Sequence, residues 1–344
     1  MTVSIIIPVY QVAPYIGDCL KSVMSQSYQG SMECLVVDDC GTDDSIGITE
    51  RMIEAYHGPI QFSILHHDRN RGLSAARNTG MAHANGDYLF FLDSDDEITP
   101  DCMELLMAKA VEHPQAEMIQ GNNYSLSING KPVVRNKSIT AATITTNDDI
   151  RNSFYRNNTF VVAAWNKLYS RSFLEKNQMQ FQEGVILEDS LWTFKLLKHL
   201  SCVCFIPQAT YHYRIRTGSI ATCSCYLSMS ESVRVIYRHI LTNLTSGYEH
   251  EEFDFYAKKF SFFYARFLSI APEFKEDLLL WQAKAKNYGS WGVRLRLRVS
   301  HYLAKVKYGW VVLSLLKWIE NPSEARIDIL RIWNATLLVN NGKN

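Results

Sequence analysis

Short apolar segments alternate with helical segments along the first hundred residues, and this alternation restricts the fold more than any other feature of the chain. The apolar segments are 3–9, 34–37, 62–65 and 88–92. Continuous apolar runs of this length are typical of strands buried on both faces, and intervening helices are typical of parallel βαβ units. Because βαβ crossovers are right-handed, the pattern predicts an α/β fold with a doubly wound, mainly parallel sheet.

The middle of the chain predicts further strands. Residues 125–128 and 131–134 flank Asn129-Gly130, a pair that favours a tight hairpin turn. Further predicted elements are a helix at 189–200 and short strands at 203–206 and 211–214. Strand signals stop near Cys225, and the pattern is helical from there to the end.

Length and composition indicate two globular domains. A chain of 344 residues exceeds one typical domain, so we expect one domain at 1–225 and a helical C-terminal region at 226–344. With 47% hydrophobic and 20% charged residues, the composition excludes disordered, collagen-like and multi-span membrane proteins.

Charge is divided unevenly, although the net charge is zero. Residues 1–100 contain 14 acids and 5 bases, whereas residues 101–344 contain 21 acids and 30 bases. This division predicts an acidic site in the first part and a surface that meets anions in the second.

Cysteine usage favours a reducing, cytoplasmic compartment. Eight cysteines are present, and the Met-Thr-Val-Ser start has no basic leader before its short apolar run. The pairs Cys202/Cys204 and Cys223/Cys225 have C-x-C spacing, which differs from usual zinc motifs. We therefore interpret Cys202 and Cys204 as two residues on one face of a strand.

Acidic residues follow three of the four N-terminal strands, at Asp38-Asp39, Asp68 and Asp93-Ser94-Asp95. Ligands of open parallel sheets bind at the carboxyl ends of the strands. Clustered acids repel one another, so a divalent cation held by one or two carboxylates and a substrate diphosphate fits this edge. Taken singly, an Asp-Asp pair can also be a turn or a helix cap.

Two common nucleotide-binding motifs are absent from the sequence. No G-x-G-x-x-G follows the first strand, and no G-x-x-x-x-G-K-[ST] occurs. We therefore expect Tyr10 and Asp39 to bind the base and a metal ion to bind the diphosphate.

Longer motifs occur in a fixed order along residues 1–220. They are SIIIPVY at 4–10, VDD at 37–39, NRGLSAARNTG at 70–80, FLDSDD at 91–96, WNKLY at 165–169, ED at 188–189 and YHYRIR at 211–216. In this order they resemble the family 2 glycosyltransferases of bacterial surface-polysaccharide synthesis, which are inverting enzymes with the glycosyltransferase A fold. The resemblance implies a metal-dependent enzyme of the hexosyltransferase class. Its donor would be a UDP-linked sugar, and its acceptor a hydroxyl of a glycan or lipid-linked glycan.

The resemblance also implies roles in nucleotide binding. Pro8, Val9 and Tyr10 would line the uracil and ribose pocket. Asp39 would accept a hydrogen bond from the uracil imide, and Arg77 would lie near the nucleotide.

A second set of roles concerns the metal and the chemistry. Asp93, Ser94 and Asp95 match the D-x-D motif, with Asp95 as the ligand of Mn²⁺ or Mg²⁺ and Asp93 nearer the ribose. Asp189 would be the catalytic base, because an acceptor hydroxyl must lose a proton as it attacks. The alternative is that Glu188 and Asp189 only cap the helix that they open.

Two positions depart from the family pattern. Gln11 stands where asparagine is usual, and Cys40 stands where the family has glycine. Because of the second departure, the family pattern does not predict the conformation of the turn after Asp39.

Other candidates concern the acceptor and the leaving group. Arg214 or Arg216 would assist the departing diphosphate by charge-assisted hydrogen bonds. Trp165, if exposed, would stack on an acceptor sugar, and otherwise it belongs to the core. His212 is interpreted as structural.

A basic segment from Lys284 to Lys317 contains eight Lys/Arg and no acid, interleaved with Trp and Leu. Such a segment is typical of a helix lying on an anionic membrane surface, here the cytoplasmic face of the inner membrane. A packed helix with a solvated basic face is the alternative. Nucleic-acid binding is not favoured, because no RNA or DNA motif accompanies the charge.

Two rival functions differ in class from sugar transfer. A sugar nucleotidyltransferase would need a basic, glycine-rich loop after the first strand, which residues 11–17 lack. A non-catalytic membrane-surface scaffold would not need the acids at Asp93, Asp95 and Asp189.

Overall fold

The structure is a computed structural model, and it describes residues 1–126, 132–135, 140–157, 161–216, 226–267 and 271–303. Its strands are β1 (Val3–Val9), β2 (Met32–Asp38), β3 (Gln61–His66), β4 (Tyr88–Phe91), β5 (Glu97–Ile98), β6 (Met118–Leu126), β7 (Pro132–Arg135), β8 (Ala142–Ile144), β9 (Lys167–Ser170) and β10 (Val203–Arg214). Its helices are α1 (Ala13–Met24), α2 (Ser45–Glu54), α3 (Leu73–His83), α4 (Cys102–Glu112), α5 (Asn147–Asn157), α6 (Arg171–Lys176), α7 (Asp189–Leu197), α8 (Tyr226–Thr242), α9 (Glu249–Phe267), α10 (Phe274–Tyr288) and α11 (Trp291–Leu303).

The first four long strands form a parallel sheet in the order β3-β2-β1-β4. All seven residues of β1 are buried, as expected for a strand covered on both faces. The four strands predicted from the apolar runs are therefore confirmed, and so is the α/β class. Because these strands run in one direction, the residues that follow β2, β3 and β4 lie at one edge of the sheet.

Beyond β4 the sheet becomes mixed. β9 pairs antiparallel with β4 and with β6, and β10 then runs parallel to β6. The two short strands predicted at 203–206 and 211–214 are one strand, β10, whose pairing with β6 shifts between Phe205 and Ala209. Pro207 lies within this irregularity, and proline cannot donate a ladder hydrogen bond, so the strand continues past a bulge.

The predicted hairpin is present as an antiparallel pair, β6 with β7. Its turn at 127–131 lies outside the described residues. The six cysteines that the structure describes are free thiols. Cys202, directly before β10, and Cys204, within β10, are both buried. Cys223 and Cys225 lie outside the described residues.

Helix α3 packs closely on β1, and this contact positions the site. A Cβ atom built on Gly80 would lie 2.3 Å from Cγ2 of Ile6. Only glycine allows this approach without displacing Ile6. The buried face of α3 also carries Ala75, Ala76 and Arg77, so the close approach brings the Arg77 side chain into the interior.

The chain divides into two compact units. The first comprises Met1–Gly184 and Glu188–Arg216. The second comprises Val185–Leu187 and, among the described residues, helices α8 to α11. The predicted boundary at residue 225 lies outside the described residues and stays a prediction. Across the described part of the chain, no helix is long and apolar enough to cross a bilayer.

Candidate active site

Arg77 is the centre of a buried charge cluster at the carboxyl edge of the sheet. Its Nη2 donates to Oδ1 of Asp93 at 2.8 Å. Its Nη1 donates to Oε1 of Glu188 at 2.6 Å and to Oδ1 of Asp189 at 3.2 Å. The Arg77 side chain is 1% exposed, and the ring of Phe181 lies 5.1 Å from its guanidinium carbon. One guanidinium thus joins the end of β4 to the start of α7.

Glu188 and Asp189 differ in accessibility. The Glu188 side chain is 4% exposed, whereas that of Asp189 is 25% exposed. Burial and the neighbouring Asp189 charge raise the pKa of Glu188 to about 7. Burial also raises the pKa of Asp189, and the charge of Arg77 opposes this rise. Asp189 is therefore the more accessible carboxylate of the pair.

A buried lysine completes the cluster, and sequence reasoning did not identify it. Lys167, at the start of β9, is 2% exposed and donates through Nζ to the carbonyl oxygen of Ala163. Burial lowers the pKa of Lys167 to about 7, while attraction to Asp189 opposes the shift and the charge of Arg77 adds to it. Its place between Asn166 and Leu168 in the WNKLY motif gives no local signal of burial.

The D-x-D motif lies directly after β4, and its second carboxylate pairs with an arginine. Nε of Arg216 donates to Oδ2 of Asp95. Burial and repulsion from Asp93 raise the pKa of Asp95, and Arg216 opposes this rise. The two carboxylates of the motif thus repel each other and depend on cations for compensation. Ser94, between them, is buried and 6% exposed.

Neighbouring groups hold this turn in place. The backbone N–H of Asp93 donates to the Tyr211 hydroxyl at 3.2 Å, and that hydroxyl donates to Oδ2 of Asp96 at 2.7 Å. The backbone N–H of Arg214 donates to Oδ1 of Asp96 at 2.7 Å. Asp96 is 1% exposed, and burial raises its pKa well above the ordinary value. Asp96 therefore anchors β10 to the motif.

The donor set of the motif fits a hard divalent cation. Asp93 and Asp95 supply carboxylate oxygens, which Mg²⁺ and Mn²⁺ prefer. Within the described residues, no group of three or more His, Cys, Asp or Glu is arranged to hold a metal ion. Remaining ligands would have to come from a substrate diphosphate and water, as is usual for Mg²⁺.

Asp39 lies at the end of β2 and is fixed by three hydrogen bonds. Its Oδ1 accepts from the backbone N–H of Arg71 at 2.8 Å, and its Oδ2 accepts from that of Gly72 at 2.8 Å. His67, which sequence reasoning did not select, lies with Nδ1 2.7 Å from Oδ1 of Asp39 and Nε2 2.8 Å from the Thr79 hydroxyl. Asp39 thereby ties the end of β2 to the loop that enters α3.

The predicted uracil-pocket residues at the end of β1 divide into two groups. Pro8 and Val9 are buried, whereas Tyr10 is 44% exposed. The carbonyl oxygen of Val9 accepts a hydrogen bond from the backbone N–H of Asp39 at 3.0 Å. Tyr10 and Asp39 therefore follow neighbouring strand ends, and Tyr10 presents its ring to solvent.

The two departures from the family pattern share a backbone conformation. Gln11 has φ of 52° and Cys40 has φ of 58°. Asparagine and glycine are the residues that tolerate this left-handed region best. The turn after Asp39 thus keeps a glycine-like conformation although its residue is cysteine.

A family model decides the membership of the chain. The model for glycosyl transferase family 2 matches residues 4–177, which is half of the chain. The chain belongs to glycosyltransferase family 2. This membership agrees with the family resemblance of the motifs.

One relative within this family of glycosyltransferases is the glycosyltransferase GlyA of Streptococcus pneumoniae. It is 34% identical over 232 residues, which cover 64% of this chain and 31% of GlyA. Alignments with the next two bacterial relatives cover 62% of each of them. The chain thus spans less than two thirds of the length of these relatives.

Solved glycosyltransferase structures share the fold. Residues 1–349 of Staphylococcus aureus TarS, solved in complex with UDP-GlcNAc, superpose with a TM-score of 0.65 at 23% identity, covering 88% of both chains. The mannosyltransferase PcManGT from Pyrobaculum calidifontis, solved with GDP-Man and Mn²⁺, gives a TM-score of 0.54 at 16% identity, covering 96% of this chain and 87% of PcManGT. These likenesses confirm the glycosyltransferase A fold that the motifs implied.

Trp165 is packed in the interior of this glycosyltransferase. It is 8% exposed and stacks on Tyr211, with ring centroids 4.5 Å apart, and on Tyr213, with centroids 5.6 Å apart. The packed arrangement corresponds to the core alternative, so Trp165 presents no open ring face to an acceptor sugar. His212 lies on β10 with its ring 4.1 Å from that of Tyr124.

Arg214 and Arg216 lie together over Tyr15. Their guanidinium carbons are 5.6 and 5.2 Å from the centroid of the Tyr15 ring. Arg214 contacts Glu97 and lies 3.4 Å from Oδ2 of Asp18. Both arginines are thus held beside the D-x-D motif, where a diphosphate would meet them.

Proposed function

We propose that the chain catalyses inverting, metal-dependent transfer of a sugar from a UDP-linked donor to a hydroxyl of a glycan or lipid-linked glycan. The observation that carries the proposal is the set of contacts made by Arg77. This residue bonds Asp93 of the donor motif and both Glu188 and Asp189. Arg77 thereby holds the donor motif and the carboxylates that could act as the base close to each other, as an in-line displacement requires.

Asp189 is the base in this proposal. Its side chain is more exposed than that of Glu188, and the pKa of Asp189 is raised by burial. A carboxylate with a raised pKa accepts a proton from an attacking hydroxyl more readily. Arg77 orients the carboxylate at 3.2 Å and remains charged, because three acids raise its own pKa further.

Asp93 and Asp95 would hold Mn²⁺ or Mg²⁺ together with the donor diphosphate. The ion would supply charge neutralisation for the departing diphosphate. Support comes from the mutual repulsion of the two carboxylates, which raises the pKa of Asp95. The Mn²⁺ in the PcManGT structure also supports this assignment, at the level of a shared fold.

Arg214 and Arg216 would act on the leaving group. Both guanidinium groups lie beside the D-x-D motif and over Tyr15. Charge-assisted hydrogen bonds from arginine to phosphate are short and directional. These residues would therefore stabilise the negative charge that develops as the sugar leaves.

The nucleotide would be read by Tyr10 and Asp39. Tyr10 is exposed at the end of β1, and Asp39 is held at the end of the adjacent β2. Support for a UDP-linked donor comes from TarS, whose structure contains UDP-GlcNAc.

The biological setting is part of the proposal. TarS is named a poly(ribitol-phosphate) β-N-acetylglucosaminyltransferase, which supports a role in surface-polysaccharide synthesis. We place the reaction on the cytoplasmic side of the inner membrane, where a lipid-linked acceptor would be available.

UDP release from a panel of UDP-sugars, with candidate glycan acceptors and Mn²⁺, tests the reaction. We expect release that stops with EDTA and returns with excess Mn²⁺, and a product whose anomeric configuration is opposite to that of the donor. Retained configuration would overturn the inverting mechanism, and full activity in EDTA would overturn the metal requirement.

The variant Asp95→Ala tests the donor site, with Asp44→Ala as its matched control. Asp44 is an exposed aspartate that pairs with Arg51 on α2, so its loss removes one carboxylate that does not belong to the motif. We expect Asp95→Ala to abolish transfer and weaken Mn²⁺-dependent UDP binding, while the thermal unfolding of both variants resembles that of the parent. Undiminished transfer by Asp95→Ala would contradict the assignment.

A further inference from the structure

Helices α10 and α11 enclose a cationic groove in the second unit. Its volume is about 150 Å³, and Lys286, Arg294 and Arg298 line it together with Gln282, Ala285 and Leu297. The space is several times that of one water molecule. Gln282 donates through Nε2 to the carbonyl oxygen of Leu297 at 3.0 Å, which fixes the two helices against each other along the groove.

The three cations have no acidic partner in the part of the chain that the structure describes. Acids on α10 are engaged elsewhere. Asp277 is 1% exposed and pairs with Arg234 and Arg238, and Glu276 lies 3.6 Å from Arg238. Like charges that converge without a counter-charge repel one another, so an anion in the groove would relieve the repulsion.

The unpaired positive charge lies on one face of α11, and Arg296 lies on another face. It is 6% exposed, and its Nε donates to the Ser261 hydroxyl at 2.7 Å. Arg294 and Arg298, which are four residues apart, are instead exposed on the same helix face. The basic segment is thus not a uniformly solvated stripe, because Arg296 is turned inward while its neighbours line the groove.

Large apolar side chains are exposed on the two helices that form the groove. Trp291 is 74% exposed and Leu295 is 44% exposed on α11, and Leu279 is 65% exposed on α10. Their helical spacing places Trp291 and Leu295 beside Arg294 and Arg298. Exposed tryptophan and leucine next to unpaired arginines are typical of helices that lie in a membrane interface.

We propose that the groove between α10 and α11 binds the phosphate headgroup of an anionic phospholipid, with Trp291 and Leu295 inserted among the lipid chains. The cations supply the charge that a phosphate needs. The exposed Trp291 and Leu295 favour a lipid headgroup over a free phosphate ion, because only a lipid also offers apolar chains. Residues 304–317, which follow α11, carry three lysines and no acid. Charge repulsion therefore disfavours this segment as the occupant.

Co-sedimentation of the full chain with vesicles tests the proposal. We expect binding to vesicles that contain phosphatidylglycerol, little binding to pure phosphatidylcholine vesicles, and loss of binding at high salt. Arg294→Gln combined with Arg298→Gln should weaken binding about 30-fold, since each basic residue near an anionic bilayer contributes about fivefold to the affinity. Trp291→Ala should weaken binding at low salt and leave its salt dependence unchanged, because it removes apolar contact and no charge.

A double variant Lys21→Gln/Lys176→Gln is the matched control. Both lysines are exposed residues of the first unit and neither lines the groove, so the pair loses the same charge without changing the groove and should bind vesicles as the parent does. Equal weakening by both double variants would reduce the effect to net charge and overturn the site.

Four other outcomes would also overturn the proposal. Binding that does not distinguish the two vesicle types, or no binding to either, would exclude a headgroup site. Competition by inorganic phosphate too dilute to screen charge would assign the groove to a free phosphate. Binding that appears only after residues 304–344 are removed would assign it to that segment.

Discussion

Arg216 forms an ion pair with Asp95, the carboxylate of the D-x-D motif that we propose as a metal ligand. Both side chains are 18% exposed, so the pair is shielded from solvent but not sealed. Nε of Arg216 donates to Oδ2 of Asp95, and that oxygen cannot bind the arginine and a metal ion in the same geometry. The arginine thus compensates the buried charge of the motif when no divalent cation does so.

This competition predicts opposite effects of Arg216→Gln on two affinities. Mn²⁺ binding to the protein alone should tighten about fivefold, since an ion pair of this exposure contributes about 1 kcal/mol. Binding of UDP in the presence of Mn²⁺ should weaken, because a phosphate contact is lost. Electron paramagnetic resonance of free Mn²⁺ measures the first affinity, and calorimetry with UDP measures the second.

Arg214→Gln is the control for the metal measurement. The Arg214 side chain contacts Glu97, and it meets Asp95 only at the carbonyl oxygen, 3.2 Å away. Its loss should leave Mn²⁺ affinity within about twofold of the parent value. Equal tightening by both variants would attribute the effect to net charge rather than to the ion pair.

Asp189→Asn and Glu188→Gln distinguish the two acids that open α7. Asp189→Asn keeps the size of the side chain but cannot accept the hydroxyl proton, so kcat should fall by about 10²-fold or more. Glu188→Gln should lower kcat less, because the Glu188 side chain is 4% exposed and its oxygen accepts a hydrogen bond from Arg77 at 2.6 Å. Steady-state UDP release measures kcat, and UDP binding should be nearly unchanged in both. A larger fall for Glu188→Gln would transfer the role of base to Glu188.

Lys167 predicts how the pH profile of transfer depends on charge inside the cluster. The pKa of Lys167 is lowered to about 7 by burial, so the lysine is charged on the acidic side of that value. Its charge lowers the pKa of Asp189. Lys167→Met removes that charge, so the pKa of Asp189 should rise and the acidic limb of the kcat profile should move to higher pH.

The matched control for that profile is Lys195→Met. Lys195 lies on the same helix as Asp189, and burial also lowers its pKa, but a spacing of six residues places it on a different face of that helix. The acidic limb of the kcat profile of Lys195→Met should coincide with that of the parent. An unchanged acidic limb in Lys167→Met would show that the charge of Lys167 does not affect the pKa of the base.

The sequence was sufficient for the sheet and for the residues at its edge because both follow from local pattern. Buried parallel strands appear as continuous apolar runs, and the acids of the motif directly follow β4. The family resemblance pointed to Asp93, Asp95 and Asp189 in the same way, through short motifs that sequence alone can display.

The contacts between these residues could not be read in this way. Arg77 and Glu188 are 111 positions apart, and their contact depends on how α3 and α7 meet the sheet. Lys167 was missed because nothing local distinguishes a buried lysine from an exposed one. Arg296 was grouped with Arg294 and Arg298, although a spacing of two residues places it on another face of α11.

Cys40 offers a test of the turn that follows Asp39. Its φ of 58° lies in the left-handed region, where a residue with a Cβ atom is strained by about 1 kcal/mol. Cys40→Gly removes this strain but makes the unfolded chain more flexible, at a cost of about 0.5 kcal/mol. A net gain of about 0.5 kcal/mol in the free energy of unfolding is therefore expected. Cys40→Ala, which keeps the Cβ atom of this exposed residue, should gain nothing. Urea unfolding under reducing conditions measures both variants, and equal stabilities of the glycine and alanine variants would show that the turn stores no strain at this position.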